Sequence, residues 1–183
     1  MYMDISASNI TLEQGQLAKE EPLPRSGHSV PSGEGEKIER SILVEAPRER
    51  VYAFWRDLSR WPKFVKHLQS VTLVDSHRSH WVVQPPGCKL LQWDTEIINE
   101  RAPEMFAWRS LEGADVVNAG SVWFEPVPGG SATSVKFTVE IIPPGVLTRL
   151  LAKLYGQDPE TQIEDDLKRF KALMETGLVP ADV

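Results

Sequence analysis

The stretch PPGVLTRLLAKLYGQDPETQIEDDLKRFKALMETG, residues 143–177, decides the fold, because it alone carries sustained helical periodicity. Apolar residues fall at Leu147, Leu150, Leu151 and Leu154, then at Ile163, Leu167, Phe170 and Met174, steps of three and four that share one helix face. Arg149 and Lys153, then Asp165, Lys168, Arg169 and Glu175, take the other side, as a helix with one solvated flank requires. Between the two runs Gly156 suits a helix C-terminus, and Asp158 can cap a new helix that has Pro159 at its first position. The spacing predicts a kinked helix or two helices, with the apolar face buried against whatever the preceding residues build.

Those residues read as strand and turn. Ile42 and Val44 alternate with Ser41, Leu43 and Glu45 up to Ala46-Pro47, which ends a first strand. Pro47 opens a short helix from Arg48 to about Arg56, with Val51, Phe54 and Trp55 on one face, and a second helical piece is expected around Pro62 to His67. Val71 to Val74 and Trp81 to Val83 predict two strands joined by His77-Arg78-Ser79, and Pro85-Pro86-Gly87 turns the chain again. Leu91, Trp93, Thr95 and Ile97 alternate with Gln92, Asp94 and Glu96, the period-two pattern of a half-buried strand. Phe106, Trp108 and Ser110 form the next inward set, followed by Gly120, Val122 and Phe124. The last strand puts Thr133, Val135, Phe137, Val139 and Ile141 on one side and Ser134, Lys136, Thr138 and Glu140 on the other. Loops this short favour antiparallel neighbours, so we expect a meander of about six or seven strands with one apolar face.

Composition narrows the class. At 183 residues, 41% hydrophobic and 25% charged, the chain suits one globular domain plus a tail. A formal net charge of -6 argues against a surface built to neutralise nucleic-acid phosphates or anionic lipid. The single cysteine, Cys88, permits no intrachain disulfide, and no stretch approaches a membrane span or a secretory leader, so a cytoplasmic protein is expected. Residues 1–36 are rich in Pro, Gly, Ser and Glu and poor in apolar residues, which predicts a flexible leader ahead of a domain at 37–183.

All six tryptophans lie between residues 55 and 123. A twisted antiparallel sheet with a long helix across it encloses a space that side chains or a ligand must fill. The order strand, two short helices, six strands and long C-terminal helix resembles the helix-grip fold of the START-like, or SRPBCC, superfamily. Local signatures fit its polyketide cyclase/dehydrase and coenzyme Q-binding branches: Arg40-Ser41-Ile42, Ala46-Pro47, the run from Val51 to Leu58, and Trp61-Pro62. Trp93-Asp94, Trp108-Arg109-Ser110, Ala119-Gly120-Ser121-Val122, Phe124-Glu125-Pro126 and Asp166-Leu167 with Phe170-Lys171 continue the likeness over residues 38–176. The resemblance implies an α+β domain, a curved sheet wrapped on the C-terminal helix, whose cavity holds a hydrophobic ligand without cofactor.

The expected wall comprises Trp81, Trp93, Trp108, Ser110, Asn118, Val122, Phe124 and Phe137 from the sheet. The helix supplies Leu147, Leu151, Leu154, Ile163, Leu167 and Phe170. Asp94 and Glu96 share a face suited to acid/base work, but it is the one opposite Trp93, so they read as solvated surface. His77 and His80 point to opposite faces of an extended chain and lack further ligands, so no metal is expected. Cys88 has no activating neighbour. Arg109 reads as an ion-pair residue away from Trp108, Tyr155 lies at the end of the first helical run, and Glu164, Asp165 and Asp166 read as a solvated acidic run at a helix start.

Three functions fit these features: a carrier or sensor of an apolar molecule such as a polyketide, isoprenoid quinone or lipid; a cyclase, aromatase or dehydratase with Ser110 and Asn118 polarising carbonyls; or a protein-interaction module, which the acidic charge weakens. The leader reading generates its own test. A chain beginning at Glu36 should keep a cooperative melt and an unchanged Tm, because the removed residues cannot bury enough apolar surface to offset their ordering; a lost transition would refute it.

Overall fold

The computed structural model describes residues 35–84, 89–142 and 159–180. Strand β1 (Glu36–Val44) leads into helix α1 (Arg48–Arg56) and a 3-10 helix (Leu58–Lys63). Strands β2 (Leu68–Leu73), β3 (Arg78–Val83), β4 (Leu91–Arg101), β5 (Met105–Ser110), β6 (Val117–Pro126) and β7 (Thr133–Ile142) follow, and helix α2 spans Pro159–Thr176. The strands form one seven-stranded antiparallel sheet in the order β1-β7-β6-β5-β4-β3-β2. The meander therefore runs from β2 to β7, and β1 returns beside the last strand. This is the helix-grip architecture expected from the sequence.

Alternation carries over into burial. In β7, Thr133, Val135, Phe137 and Val139 are buried while Lys136 is exposed, and in β4, Leu91, Thr95 and Ile97 are buried while Asp94 is exposed. On α2, Ile163, Leu167, Phe170 and Met174 are all buried, as their spacing predicts. Trp55 from α1 joins the layers: its ring centroid lies 4.9 Å from Trp61, 5.0 Å from Phe170, 5.4 Å from Phe64 and 5.8 Å from Phe137.

Two groups of polar contacts bear on how α2 is seated. Near its C-terminal end, Lys171 Nζ donates to Leu43 O (2.6 Å) and Glu175 Oε1 accepts from Glu45 N (2.8 Å). Halfway along, Arg169 Nε donates to Phe64 O (2.9 Å) and Asp166 Oδ1 accepts from Lys66 N (3.0 Å). The helix is thus tied both to the end of β1 and to the loop entering β2.

Several expectations change. The second short helix lies at Leu58–Lys63 rather than at residues 62–67, because a 3-10 turn brings Leu58 and Trp61, three apart, onto one buried side. The second strand begins at Leu68, earlier than Val71. Asp166 and Arg169 are buried (8% exposed each), not solvated: a carboxylate and a guanidinium that hydrogen-bond each other and nearby backbone can both leave water. A β-bulge between Ile97 and Asn99 breaks the β4 alternation, so Glu100 pairs with Phe106 and shares its inward face. There Glu100 accepts from Tyr52 Oη and Arg56 Nε. Burial raises its carboxyl, but those two bonds together with the charge of Arg56 hold the pKa below the ordinary value. The capping role of Asp158, the turn at residues 85–87, Cys88, Tyr155 and most of the leader lie outside the described residues, as do Leu147, Leu151 and Leu154.

Gly120 yields a test of the packing. It sits opposite Trp108 in the β5–β6 ladder, and a Cβ placed on it would lie 2.6 Å from Trp108 Cη2 and 2.7 Å from the backbone oxygen of Thr138. Gly120→Ala should therefore destabilise the protein by about 1–3 kcal/mol, since the strand cannot yield as a flexible side-chain tip would. Denaturant unfolding measures this; an unchanged midpoint would mean that Trp108 does not lie across that glycine.

Candidate functional site

Between the sheet and α2 lies a cavity of about 150 Å³. Its volume is of the size that admits a benzene-like molecule in a protein interior. One wall is made of indoles. Trp81 and Trp93, opposite each other in the β3–β4 ladder, stack at 6.2 Å with their planes 12° apart. Trp61 meets Trp81 edge-on at 5.2 Å and Trp108 edge-on at 5.8 Å, so the aromatic surface runs from β4 to β5. Phe137, Val139 and Ile141 extend the wall along β7, and Ile163 and Leu167 close it from α2.

The indole N–H groups are used to hold the rings in place. Trp81 Nε1 donates to Ser79 Oγ (2.9 Å) and Thr95 Oγ1 (3.0 Å), which are themselves 2.9 Å apart. Trp108 Nε1 donates to Asn118 Oδ1 (3.1 Å), Asn118 Nδ2 donates to Val116 O (3.0 Å), and Asn118 N donates to Ser110 Oγ (3.0 Å). Trp61 Nε1 donates to Trp55 O (2.9 Å). Each bond satisfies a buried donor and at the same time fixes an aromatic plane against the cavity.

A polar group stands on the helix side. Asp166 lines the cavity, and its Oδ1 accepts from Lys66 N (3.0 Å), Gln162 Nε2 (3.1 Å) and Arg169 Nη2. Burial pushes its carboxyl up to about 6, against the backbone bond from Lys66 and the charge of Arg169, which favour the ionised form. Because the folded pKa exceeds the ordinary 3.8, this group binds more protons folded than unfolded in that window, and its contribution to stability declines as pH rises from near 4 through about 6. His67, also on the wall, has its pKa lowered by burial and then by the charges of Lys66 and Arg169. Its backbone holds φ at 67°, uncommon for a residue with a Cβ, where the chain turns from the 3-10 helix into β2.

Of the wall residues expected from sequence, Trp81, Trp93, Trp108, Asn118, Phe137, Ile163 and Leu167 meet around this space. Val122, Phe124 and Phe170 do not: they pack in the core, at 0–2% exposure, with Phe124 5.6 Å from Tyr52 and Phe170 against Phe54 and Trp55. Ser110 is buried behind the wall, where its hydroxyl serves the backbone of Asn118. Thr95, Val83, Val139 and Ile141 were available from strand alternation, since each sits on an inward set already traced or in register with one. Lys66, His67 and Asp166 carried no periodic signal. The outward carboxylates are both paired: exposed Asp94 places Oδ1 2.7 Å from His80 Nδ1, while Glu96, half-buried rather than solvated, accepts from Arg109 Nε at 2.6 Å. Among the described residues no cluster of His, Cys, Asp and Glu is arranged to hold a metal, and no helix is long and apolar enough to cross a membrane.

Comparison with known proteins agrees with this geometry. The family of polyketide cyclases/dehydrases and lipid transport proteins matches residues 44–168. Among solved structures, DR_A0006 from Deinococcus radiodurans is 35% identical, with a TM-score of 0.64 and coverage of 78% of this chain and 99% of its own. TTHA0849 from Thermus thermophilus is 27% identical, with a TM-score of 0.56 and coverage of 73% and 92%. A START superfamily protein from Mycobacterium smegmatis shares the fold at 14% identity, with a TM-score of 0.61 and coverage of 79% and 100%. Curated proteins yield no match. With its strand order, gripped helix and the family match over most of its length, the chain belongs to the polyketide cyclase/dehydrase and lipid transport family.

Proposed function

We propose that the protein binds a hydrophobic or aromatic small molecule in the cavity between sheet and α2, as a carrier or sensor. The observation that carries this reading is the wall itself: indoles held by their own N–H bonds and aliphatic side chains surround a space that the described side chains leave unfilled. Apolar walls suit ligands such as a polyketide, an isoprenoid quinone or a lipid, and the family's description includes lipid transport. A cyclase or dehydratase in the same cavity is the second candidate. It would need polar groups converging on the substrate, whereas Ser110 and Asn118 spend their oxygens on Asn118 N and Trp108 Nε1.

The test uses the cavity's own chromophores. Native mass spectrometry of freshly purified protein should show an apolar adduct, and an apolar dye should quench tryptophan fluorescence. Val139→Trp, which narrows the space, should weaken dye binding about tenfold or more with little loss of stability, whereas the same change in a filled core would cost about 1–3 kcal/mol. No quenching in the parent together with a strongly destabilised Val139→Trp would refute ligand binding.

A further inference from the structure

The proposed ligand reading says nothing of what an otherwise apolar cavity selects, and Asp166 addresses that. All three hydrogen bonds to its carboxylate converge on Oδ1, from Lys66 N, Gln162 Nε2 and Arg169 Nη2. Oδ2 has no hydrogen-bond donor among the described residues, although the residue is only 8% exposed and lines the cavity. A carboxylate oxygen that faces an apolar cavity without a protein donor is best satisfied by a hydroxyl that the ligand itself brings to it. We propose that Asp166 Oδ2 is the polar anchor of the cavity and selects apolar ligands that carry a neutral hydrogen-bond donor, an alcohol or phenol hydroxyl.

The surroundings favour a neutral donor over a cation. Arg169 already supplies the compensating positive charge from the same helix, and Lys66 stands on the facing loop, so an ammonium group would meet two like charges. His67, from that loop, is the other titratable group facing the site. From the sheet the polar groups on the described wall are neutral, Thr95 and Asn118. A hydroxyl bonded to a carboxylate forms a charge-assisted bond, roughly twice as strong as a neutral one. A protonated Asp166 offers only the weaker kind, and the pKa of about 6 puts that change within reach of experiment.

This inference rests on the ligand-binding reading above, and the experiment separates the two. Isothermal titration calorimetry on the full chain compares 2-naphthol with 2-methylnaphthalene, equal in shape and differing in one hydroxyl. Above pH 7 the protein should prefer 2-naphthol about tenfold or more. The preference should shrink severalfold on acidification through Asp166's pKa of about 6, and in Asp166→Asn, which keeps Oδ1 for its three donors but turns an amide nitrogen toward the ligand. The acid response should vanish in Asp166→Asn, which assigns the titration to Asp166; an acid response that survives in that variant would overturn the proposal. Equal binding of the two probes, or a preference indifferent to pH and to Asp166→Asn, would overturn the anchor while leaving the apolar cavity standing. Binding of neither probe would overturn both readings. Should Asp166→Asn fold poorly, the pH titration of the unaltered protein decides alone.

Discussion

The packing of Trp55 is the constraint on which the other elements depend. Its indole is 1% exposed and touches the 3-10 helix through Trp61 and the loop beyond it through Phe64. It reaches the sheet through Phe124 and Phe137 and α2 through Phe170. Truncating so buried an aromatic costs about 3–5 kcal/mol in a well-packed core. The ring's own N–H finds no hydrogen-bond partner among the described residues, a penalty of about 1–3 kcal/mol that its edge-on contacts offset. Apolar contact therefore outweighs polar satisfaction at this point. The cavity begins where that dense cluster stops, on the side of Trp81, Trp93 and Trp108.

The division between packed and open halves explains what sequence could and could not convey. The buried face of α2 was legible because Ile163, Leu167, Phe170 and Met174 keep a strict helical spacing, and β7 because five residues alternate without interruption. Which inward residues fill the core and which border a space depends on how the sheet curls. Val122 and Phe137 pair across β6 and β7, yet only Phe137 borders the cavity. No one-dimensional pattern encodes that difference.

Charged residues were misread for a related reason. Periodicity assigns every Asp and Arg on α2 to water, yet Asp166 and Arg169, three apart, face the loop at residues 64–67, whose backbone supplies both a donor and an acceptor. Glu100 escaped in another way: the bulge after Ile97 shifts the register by one residue and turns an outward position inward, toward Tyr52 and Arg56. Both departures arise from backbone groups and local geometry that side-chain identity alone does not reveal. Asp166 was legible only as part of a solvated acidic run and of a family-like motif, whereas its neighbour Leu167 was expected on the wall it does line.

The return of β1 to the far end of the sheet bears on how the protein is made. Glu36 pairs with Ile141 and Val44 with Thr133, so the strand synthesised first must wait, with one ladder unmade, until β7 has left the ribosome. The meander can assemble sequentially from neighbouring hairpins. The joining of β1 closes the longest loop, and α2, tied to Leu43 and Glu45, docks later still. The cavity is therefore complete only when β1 and α2 are both in place, so a molecule bound in it would favour the fully assembled state over any form that lacks either element.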